Sequence, residues 1–366
     1  MSHRTLLTPI PVDGLTGEVD AVVVPTNRPA GQLFEAIELA RKLDCPLLVL
    51  CSGESRAQDV AAIFEGSIGA AIPVSSPPHH PLLEFRTWRM ASSQSEPYLD
   101  TGTKRNIALL LGRLLGWRRL LFLDDDIREL SAAQVRAAAA VTSPRQFQIV
   151  GWRYHEFPDN SVVFHAARAC GLPQDVFIGA GALLVELTGR LPFFPAVYNE
   201  DWLFWHDQAA TRALGYAGDV EQLAYHPFDP QRANREEFGD VLAEGLYQLI
   251  HQGRSVLVGC LPAYWPAVIA ARGEMLADLD RRLWALRETR SHTADGYRIG
   301  TVLGSVAAAR EALERVLPGD LAEFTALWRY DLYRWNARLQ QLPRLSRLDE
   351  ALDWLGLTDV HLSGDL

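Results

Sequence analysis

Short apolar runs, each ending in a polar turn, recur along the first 130 residues of the chain. Runs of four to six apolar residues bounded by turn residues are typical of strands buried on both faces. We therefore predict strands over 21–25, 46–51, 70–74 and 119–123.

Between these runs, apolar residues recur at three- and four-residue steps, which is the spacing of a helix with one buried face. Two such segments cover 32–42 and 56–65. A third begins at Thr103, a suitable N-cap, and continues to about Leu115. Residues 75–99 are rich in Ser, Pro and His and predict an exposed loop. The alternation predicts an α/β fold with a mostly parallel sheet flanked by helices.

The second part of the chain has a different pattern. Strands are predicted over 146–152, 161–165 and 176–185, and an amphipathic helix over 235–252. A further helix would run from Glu200 to Leu214 and end at Gly215. Beyond residue 255 helical spacing dominates, which predicts a mainly helical C-terminal region over 256–366 with helices at 276–287, 302–316 and 321–341.

Composition indicates a soluble globular protein. Hydrophobic residues make up 48% and charged residues 22% of 366 positions, and the formal net charge is −10. A negative field of this kind repels nucleic acid, so we expect no such partner. Pro262 and Pro266 interrupt the longest uncharged run, at 255–271, so buried core or acceptor-pocket lining is favoured over a membrane span. With no lipid motif or leader pattern, a cytoplasmic location without a membrane partner is predicted.

The strongest chemical signal is the triplet Asp124, Asp125 and Asp126 at the end of a predicted strand. Adjacent carboxylates repel each other unless a cation neutralises them. Oxygen ligands of this type suit Mg²⁺ or Mn²⁺, and such an ion could bind a diphosphate. The alternative is a solvated acidic turn that caps the next helix.

Three other segments accompany the triplet. Lys104, Arg105 and Asn106 open the predicted helix before the strand, where their side chains and backbone N–H groups could approach phosphate or base; an exposed basic turn is the alternative. Glu200 and Asp201 stand beside aromatic residues, a setting suited to a carboxylate base or simply to capping a helix. His226 follows a strand-like segment on a turn, where it could be a metal ligand or a structural histidine.

The order of these segments, with Gly179 and Gly181 between the triplet and Asp201, resembles the GT-A-fold glycosyltransferases. The similarity is greatest to their large inverting, family-2-like group and covers about residues 18–255. It implies a Rossmann-like GT-A catalytic domain over 1–255. In that domain, residues 18–130 would bind the nucleotide sugar and residues 131–255 would form the acceptor half.

The resemblance also implies roles for single residues. Asp124 and Asp126 match the D-x-D motif around Asp125, in which the first carboxylate contacts the ribose or metal and the last the metal. His226 matches a late metal-ligand histidine. Asp201 matches the catalytic base, and Glu200 beside it is the alternative base.

Donor contacts follow from the same resemblance. Gly179 and Gly181 match the loop that approaches the donor sugar. Pro25, Thr26 and Arg28 match the first nucleotide-contacting turn, and Ser52 and Glu54 lie in the second. The chain departs from the family at Lys104, Arg105 and Asn106, because a small residue often precedes Arg-Asn there.

The leading hypothesis is a Mn²⁺- or Mg²⁺-dependent transferase that moves a sugar from a nucleoside-diphosphate donor to a small soluble acceptor with inversion. One alternative is a sugar-1-phosphate nucleotidyltransferase, although the Gly-rich basic loop typical of those enzymes is missing after the first strand. Another is an inactive binding protein of the same fold. Aromatic residues of the C-terminal helices could form a homo-oligomer contact, namely Trp328, Tyr330, Tyr333 and Trp335.

Overall fold

A computed structural model describes most of the chain, and within it ten strands form one sheet. The described residues are 3–11, 14–64, 66–74, 80–90, 96–155, 160–173 and 177–364. The strands are β1 Leu7–Pro9, β2 Ala21–Thr26, β3 Leu47–Cys51, β4 Gly69–Pro73, β5 Arg119–Leu123, β6 Ile127–Arg128, β7 Ile149–His155, β8 Ile178–Glu186, β9 Leu214–Gln222 and β10 His361–Ser363.

Helices cover both faces of this sheet. They are α1 Phe34–Leu43, α2 Ala57–Ala62, α3 Glu96–Leu115, α4 Ala132–Val141, α5 Val162–Ala169, α6 Glu200–Phe204, α7 His206–Ala210, α8 Pro230–His251, α9 Trp265–Thr289, α10 Ile299–Leu313, α11 Pro318–Leu339 and α12 Leu348–Trp354. The predicted α/β class with a mainly helical C-terminal region is therefore confirmed.

The strands lie in the order β1-β9-β7-β8-β5-β2-β3-β4-β10, with β6 beside β9. Strands β5, β2, β3 and β4 are mutually parallel, as are β1, β9 and β7. Strand β8 is antiparallel to both of its neighbours, and β10 is antiparallel to β4. Because β8 runs against β5, its first residues lie at the same edge of the sheet as the last residues of β5.

Two hydrophobic cores lie on opposite faces of the sheet. Successive side chains of β2 alternate between them, since Ala21 and Val23 belong to one core and Val22 and Val24 to the other. Burial on both faces explains why this strand reads as an uninterrupted apolar run. The larger core includes Leu246 of α8 and residues of α9–α12, so it continues across residue 255. The predicted division into two regions stays a prediction.

The strands predicted in the first 130 residues are confirmed, but the start of α3 is not. The helix begins at Glu96, which places Thr103 in its buried interior and not at an N-cap. The helix therefore begins seven residues earlier than the cap-like Thr103 predicts. Pro97 lies in its first turn, where proline is tolerated.

Part of the predicted exposed loop is packed. Residues 75–79 and 91–95 lie outside the described residues, but 80–90 form two 3₁₀ turns. Leu83, Phe85 and Thr87 are buried there. The backbone N–H of Thr87 donates to Asp331 Oδ2 of α11 at 2.9 Å. Packing against a distant helix, which local composition does not reveal, overrides the loop pattern.

Two predictions for the second part are wrong. Residues 161–165 begin helix α5, not a strand, and Ser161 caps it by accepting from the Phe164 N–H. The predicted helix over 200–214 breaks into α6 and α7, and the chain then enters β9. Gly215 lies inside that strand between β1 and β7, where close strand packing determines the structure.

The C-terminal helices are confirmed, and the chain returns to the sheet afterwards as β10. Trp328 and Trp335 are buried in the larger core, so these two cannot form the predicted subunit contact. Tyr330 and Tyr333 of the same helix are exposed. No helix in the described part of the chain has the length and apolarity needed to cross a membrane.

Candidate active site

Several of the predicted site residues lie where β2, β3 and β5 end and β8 begins. The backbone N–H of Asp124, directly after β5, donates to the carbonyl of Gly181 in β8 at 2.8 Å. The turn after β3 joins the end of β2, since the Ser52 N–H donates to the Thr26 carbonyl at 3.1 Å. Carboxyl ends of parallel strands are where ligands bind in sheets of this type.

Two carboxylates of the triplet face the end of β2. Thr26 Oγ1 donates to Asp125 Oδ2 at 2.5 Å. Arg28 spans both acids, with Nη1 2.8 Å from Asp125 Oδ1 and Nη2 3.0 Å from Asp126 Oδ2. Asp125 and Asp126 are buried, whereas Arg28 is largely exposed. A partly exposed guanidinium therefore neutralises the two buried acids.

Asp124 faces the opposite way, towards α3 and α6. Arg105 Nη2 lies 3.1 Å from both oxygens of Asp124, and its Nη1 lies 2.8 Å from Glu200 Oε1. Burial raises the pKa of Asp124 to about 6; the neighbouring acids also raise it, and Arg105 lowers it. Burial alone would lower the pKa of Arg105, but Asp124, Glu200 and Asp201 outweigh it and the pKa is raised. Arg105 is thus a fixed cation between two acids.

Lys104 and Asn106 brace the site from inside helix α3. Their backbone N–H groups lie in the interior of the helix and bond earlier carbonyls, so the predicted helix-opening anion site is not formed. Lys104 Nζ donates to the Thr26 carbonyl at 2.9 Å and to Ser52 Oγ and Asp100 Oδ2 at 2.7 Å. Burial lowers the Lys104 pKa, and Asp100 partly restores it.

Asn106 is completely buried. Its Nδ2 donates to the Phe194 carbonyl at 2.8 Å, and its Oδ1 accepts from the Phe194 N–H at the same distance. An amide with both ends bonded to backbone and no exposed surface fixes the chain around it. Asn106 therefore holds the segment before α6 against α3, and does not face a ligand.

The glycines at the start of β8 make room for an aromatic ring. A Cβ on Gly179 would lie 2.5 Å from the Tyr154 ring, and one on Gly181 would lie 2.7 Å from its hydroxyl oxygen. The same hydroxyl accepts a hydrogen bond from the Gly181 N–H at 2.9 Å. Tyr154, which the sequence analysis missed, lies two residues after Trp152 on the same face of β7; alternation along the strand was the available signal.

Glu200 and Asp201 begin the short helix α6. Asn199 precedes them in a left-handed conformation, with φ 61° and ψ 35°. Asp201 Oδ2 accepts from the Ala180 N–H at 3.2 Å, and Oδ1 accepts from the Trp202 N–H at 2.8 Å. These two backbone contacts orient the Asp201 carboxylate between the start of β8 and the first turn of α6.

A cavity of about 220 Å³ joins these groups. Six predicted residues line it: Arg105, Asp124, Gly179, Gly181, Glu200 and Asp201. Eight further residues that no motif predicted as part of the site complete the lining, namely Thr101, Asn160, Phe177, Ile178, Ala180, Tyr198, Asn199 and Trp202. Residues from five separate segments of the chain thus converge on one cavity.

Other predicted residues lie apart from this cavity. Pro25 pairs within β2, and Glu54 is exposed on the turn after β3. His226 is exposed, and its ring packs edge-on against Tyr297 and Phe228. No hydrogen bond or ion pair within the described residues joins His226 to the triplet. Its role as a metal ligand stays a prediction.

The residues fit a divalent cation only in part. Among the described residues, no group of three or more His, Cys, Asp or Glu side chains is placed to hold a metal. Burial is the main cause of the raised pKa of Asp124, and Arg105 opposes it more strongly than Asp125 or Asp126 adds to it. Mg²⁺ is commonly held by one or two carboxylates together with substrate phosphates. Asp124 and Asp126 could each contribute one carboxylate to such a shared arrangement, although they face different neighbours here, Arg105 and Arg28 respectively.

Matches between this chain and known proteins come from solved structures alone. No family model matches the chain, and no curated protein matches it in sequence. Several solved structures match, among them a mannosyltransferase from Pyrobaculum calidifontis in complex with GDP-mannose and Mn²⁺. That match has 12% identity and a TM-score of 0.37, and it covers 90% of this chain and 92% of the other. A similarity this low does not assign an activity, which must come from the site.

Proposed function

We propose that the chain is a GT-A-type glycosyltransferase that moves a sugar from a nucleoside-diphosphate donor to a hydroxyl of a small soluble acceptor. The observation that carries this proposal is the cavity in which Asp124, Arg105, the Gly179–Gly181 segment, Glu200 and Asp201 converge. It combines an acidic strand end that could share a cation with a diphosphate, a wall formed by the start of β8, and a second carboxylate that could accept a proton from a nucleophile.

On the donor side, Asp124 would contact the ribose, and Thr26, Arg28 and Ser52 would lie along the nucleotide. Arg28 is exposed enough to leave Asp125 and Asp126 and meet a phosphate. Mn²⁺ or Mg²⁺, held by Asp126 and Asp124 with the diphosphate, would neutralise charge on the departing nucleotide. The Gly179–Gly181 segment lines the cavity and would form one wall of the sugar site, with Tyr154 packed against the two glycines.

On the acceptor side, Asp201 would act as the general base. It removes the proton of the acceptor hydroxyl while that oxygen forms a bond to the anomeric carbon. The bond from that carbon to the phosphate oxygen breaks, and its electron pair leaves with the nucleoside diphosphate. Attack opposite the leaving group inverts the configuration. Glu200 is less suited to this role because Arg105 already binds it at 2.8 Å.

A thermal-shift panel tests the binding half of the proposal. UDP-, GDP- and dTDP-sugars are added with and without Mn²⁺, and a ligand that binds the native state raises the unfolding midpoint. We expect one base class to do so, more strongly with the metal, and Asp124→Asn to reduce the shift. If no nucleotide sugar shifts the midpoint under either condition, the proposal is wrong. A response to a free nucleoside triphosphate and a sugar phosphate would instead indicate a nucleotidyltransferase.

A further inference from the structure

The turn before helix α6 is held in an unusual backbone conformation. Asn199 has a positive φ of 61°, a conformation that asparagine tolerates better than most residues. Helix α6 has only five residues, too few to be stable alone. Contacts at its two ends must therefore set its direction, and with it the positions of Glu200 and Asp201.

Helix α8 supplies contacts at both ends. Asn199 Nδ2 donates to Asp240 Oδ1 of α8 at 3.0 Å. Seven residues, or about two turns, further along α8, the Tyr247 hydroxyl donates to the Trp202 carbonyl at 3.1 Å. A Cβ on Gly239 would lie 2.3 Å from the Tyr198 carbonyl oxygen, so α8 passes directly against the turn.

Asp240 is itself fixed by helix α9. Arg272 Nη2 donates to Asp240 Oδ2 at 2.5 Å, while Nε and Nη2 donate to Glu237 at 2.7 and 2.8 Å. All three side chains are buried. Burial opposes the charge of Arg272, but Glu237 and Asp240 outweigh it and raise its pKa. A buried ion pair is weak evidence for stability, since apolar residues often replace one without loss.

We infer that Asp240, held by Arg272, is a positioning residue that fixes the left-handed turn at Asn199 and so aims Asp201 into the cavity. The inference rests on the proposed function, in which Asp201 is the base. Asp240 is not in the cavity lining and acts only through Asn199. Because Arg272 belongs to α9, the C-terminal helical region would help to position Asp201.

The test compares residues that share Arg272 but differ in their contact with the turn. Asp240→Ala removes the acceptor of the Asn199 bond, and Glu237→Ala, the matched control, removes only a partner of Arg272. Asn199→Gly keeps the fold, because glycine accepts a positive φ, and deletes the same bond.

We expect kcat to fall roughly 10- to 100-fold in Asp240→Ala and Asn199→Gly, with the donor KM nearly unchanged. Glu237→Ala leaves the Asn199–Asp240 bond in place and should keep a kcat close to that of the unchanged protein.

Backbone hydrogen exchange at 200–204 gives a readout that needs no activity. Exchange should be faster in Asn199→Gly and Asp240→Ala than in Glu237→Ala. Equal exchange in all three, or an unchanged kcat in Asn199→Gly, overturns the inference even if Asp240→Ala fails to fold. Faster exchange in Asn199→Gly and Asp240→Ala, in a protein that turns over no nucleotide sugar, would support Asp240 as the residue that holds the turn. The same result would refute the proposed function.

Discussion

Two groups of acids share one edge of the sheet but have different surroundings. The first, the strand-end cluster, consists of Asp125 and Asp126 with Thr26 and Arg28. The second, the cavity cluster, consists of Asp124, Glu200 and Asp201 with Arg105. In the strand-end cluster the acids are buried and the cation is 47% exposed. In the cavity cluster the cation is buried and the Asp124 side chain is 30% exposed.

The two clusters thus differ in which partner is exposed, the cation or the acid, and this difference suits them to different roles. An exposed cation over buried acids can move, so the strand-end cluster can exchange Arg28 for another positive group. A buried cation between partly exposed acids cannot move, so Arg105 holds Asp124 and Glu200 at a fixed separation. The strand-end cluster is therefore suited to admit a donor, and the cavity cluster to keep reacting groups in place.

The largest effect is expected from Asp201→Asn, which keeps the shape of the side chain but cannot accept a proton. If Asp201 is the base, kcat should fall about 10²- to 10⁴-fold while donor binding is kept. Steady-state kinetics with the donor found in the panel measure both. Asp207→Asn, on the next short helix and outside the cavity, is the matched control and should retain activity. Equal losses in both variants would contradict a role as base.

The two cations should differ strongly in what they contribute to stability. Arg105→Met leaves Asp124 and Glu200 without their buried partner and should lower the free energy of unfolding by about 3–5 kcal/mol. Arg28→Met removes an exposed cation and should cost about 0–1 kcal/mol. Urea unfolding of the two variants measures the contrast. Similar costs would remove the distinction between the clusters.

The glycines of β8 should be sensitive to a single methyl group. Gly181→Ala places a Cβ 2.7 Å from the Tyr154 hydroxyl oxygen and should cost about 1–3 kcal/mol of stability. Adding Tyr154→Phe removes that oxygen, so the double variant should be less destabilised than the sum of the two changes. Gly300→Ala, in a helix with open space around the new Cβ, should be neutral or slightly stabilising. Strict additivity would show that the close approach to Tyr154 does not matter.

The smallest effect concerns pH. The pKa of Asp124 is raised to about 6 by burial and by the neighbouring acids, above its value in the unfolded chain. The folded state therefore keeps a proton that the unfolded state releases, and stability falls as pH rises through the window from about 4 to 6. Asp124→Asn should flatten this part of the stability profile, measured by urea unfolding at several pH values. Parallel profiles for the two proteins would contradict the raised pKa.

How much the sequence predicts depends on whether the signal is local. The buried strands and the triplet Asp124–Asp126 are predictable, because an apolar run followed by acids carries its own signature. The six predicted cavity residues follow from a resemblance in motif order, and the structure brings them to one place.

Long-range contacts explain what the sequence did not predict. Asn106 looks like a ligand-binding residue, but its environment is set by Phe194, which is 88 positions away. Residues 211–214 have a helical pattern, yet the strand pairing of Leu214 with Leu7 and Ile149 prevails. The hydrogen bond between Asn199 and Asp240 leaves no local pattern in the sequence, since the two residues are 41 positions apart.

The anomeric configuration of the first product tests the central claim most directly. Once the panel identifies a donor, ¹H NMR can follow the sugar released to water or to a simple alcohol before mutarotation scrambles it. A single displacement assisted by Asp201 predicts that the first sugar has the configuration opposite to that of the donor. A first product with the donor's own configuration would contradict the assignment of Asp201 as the base.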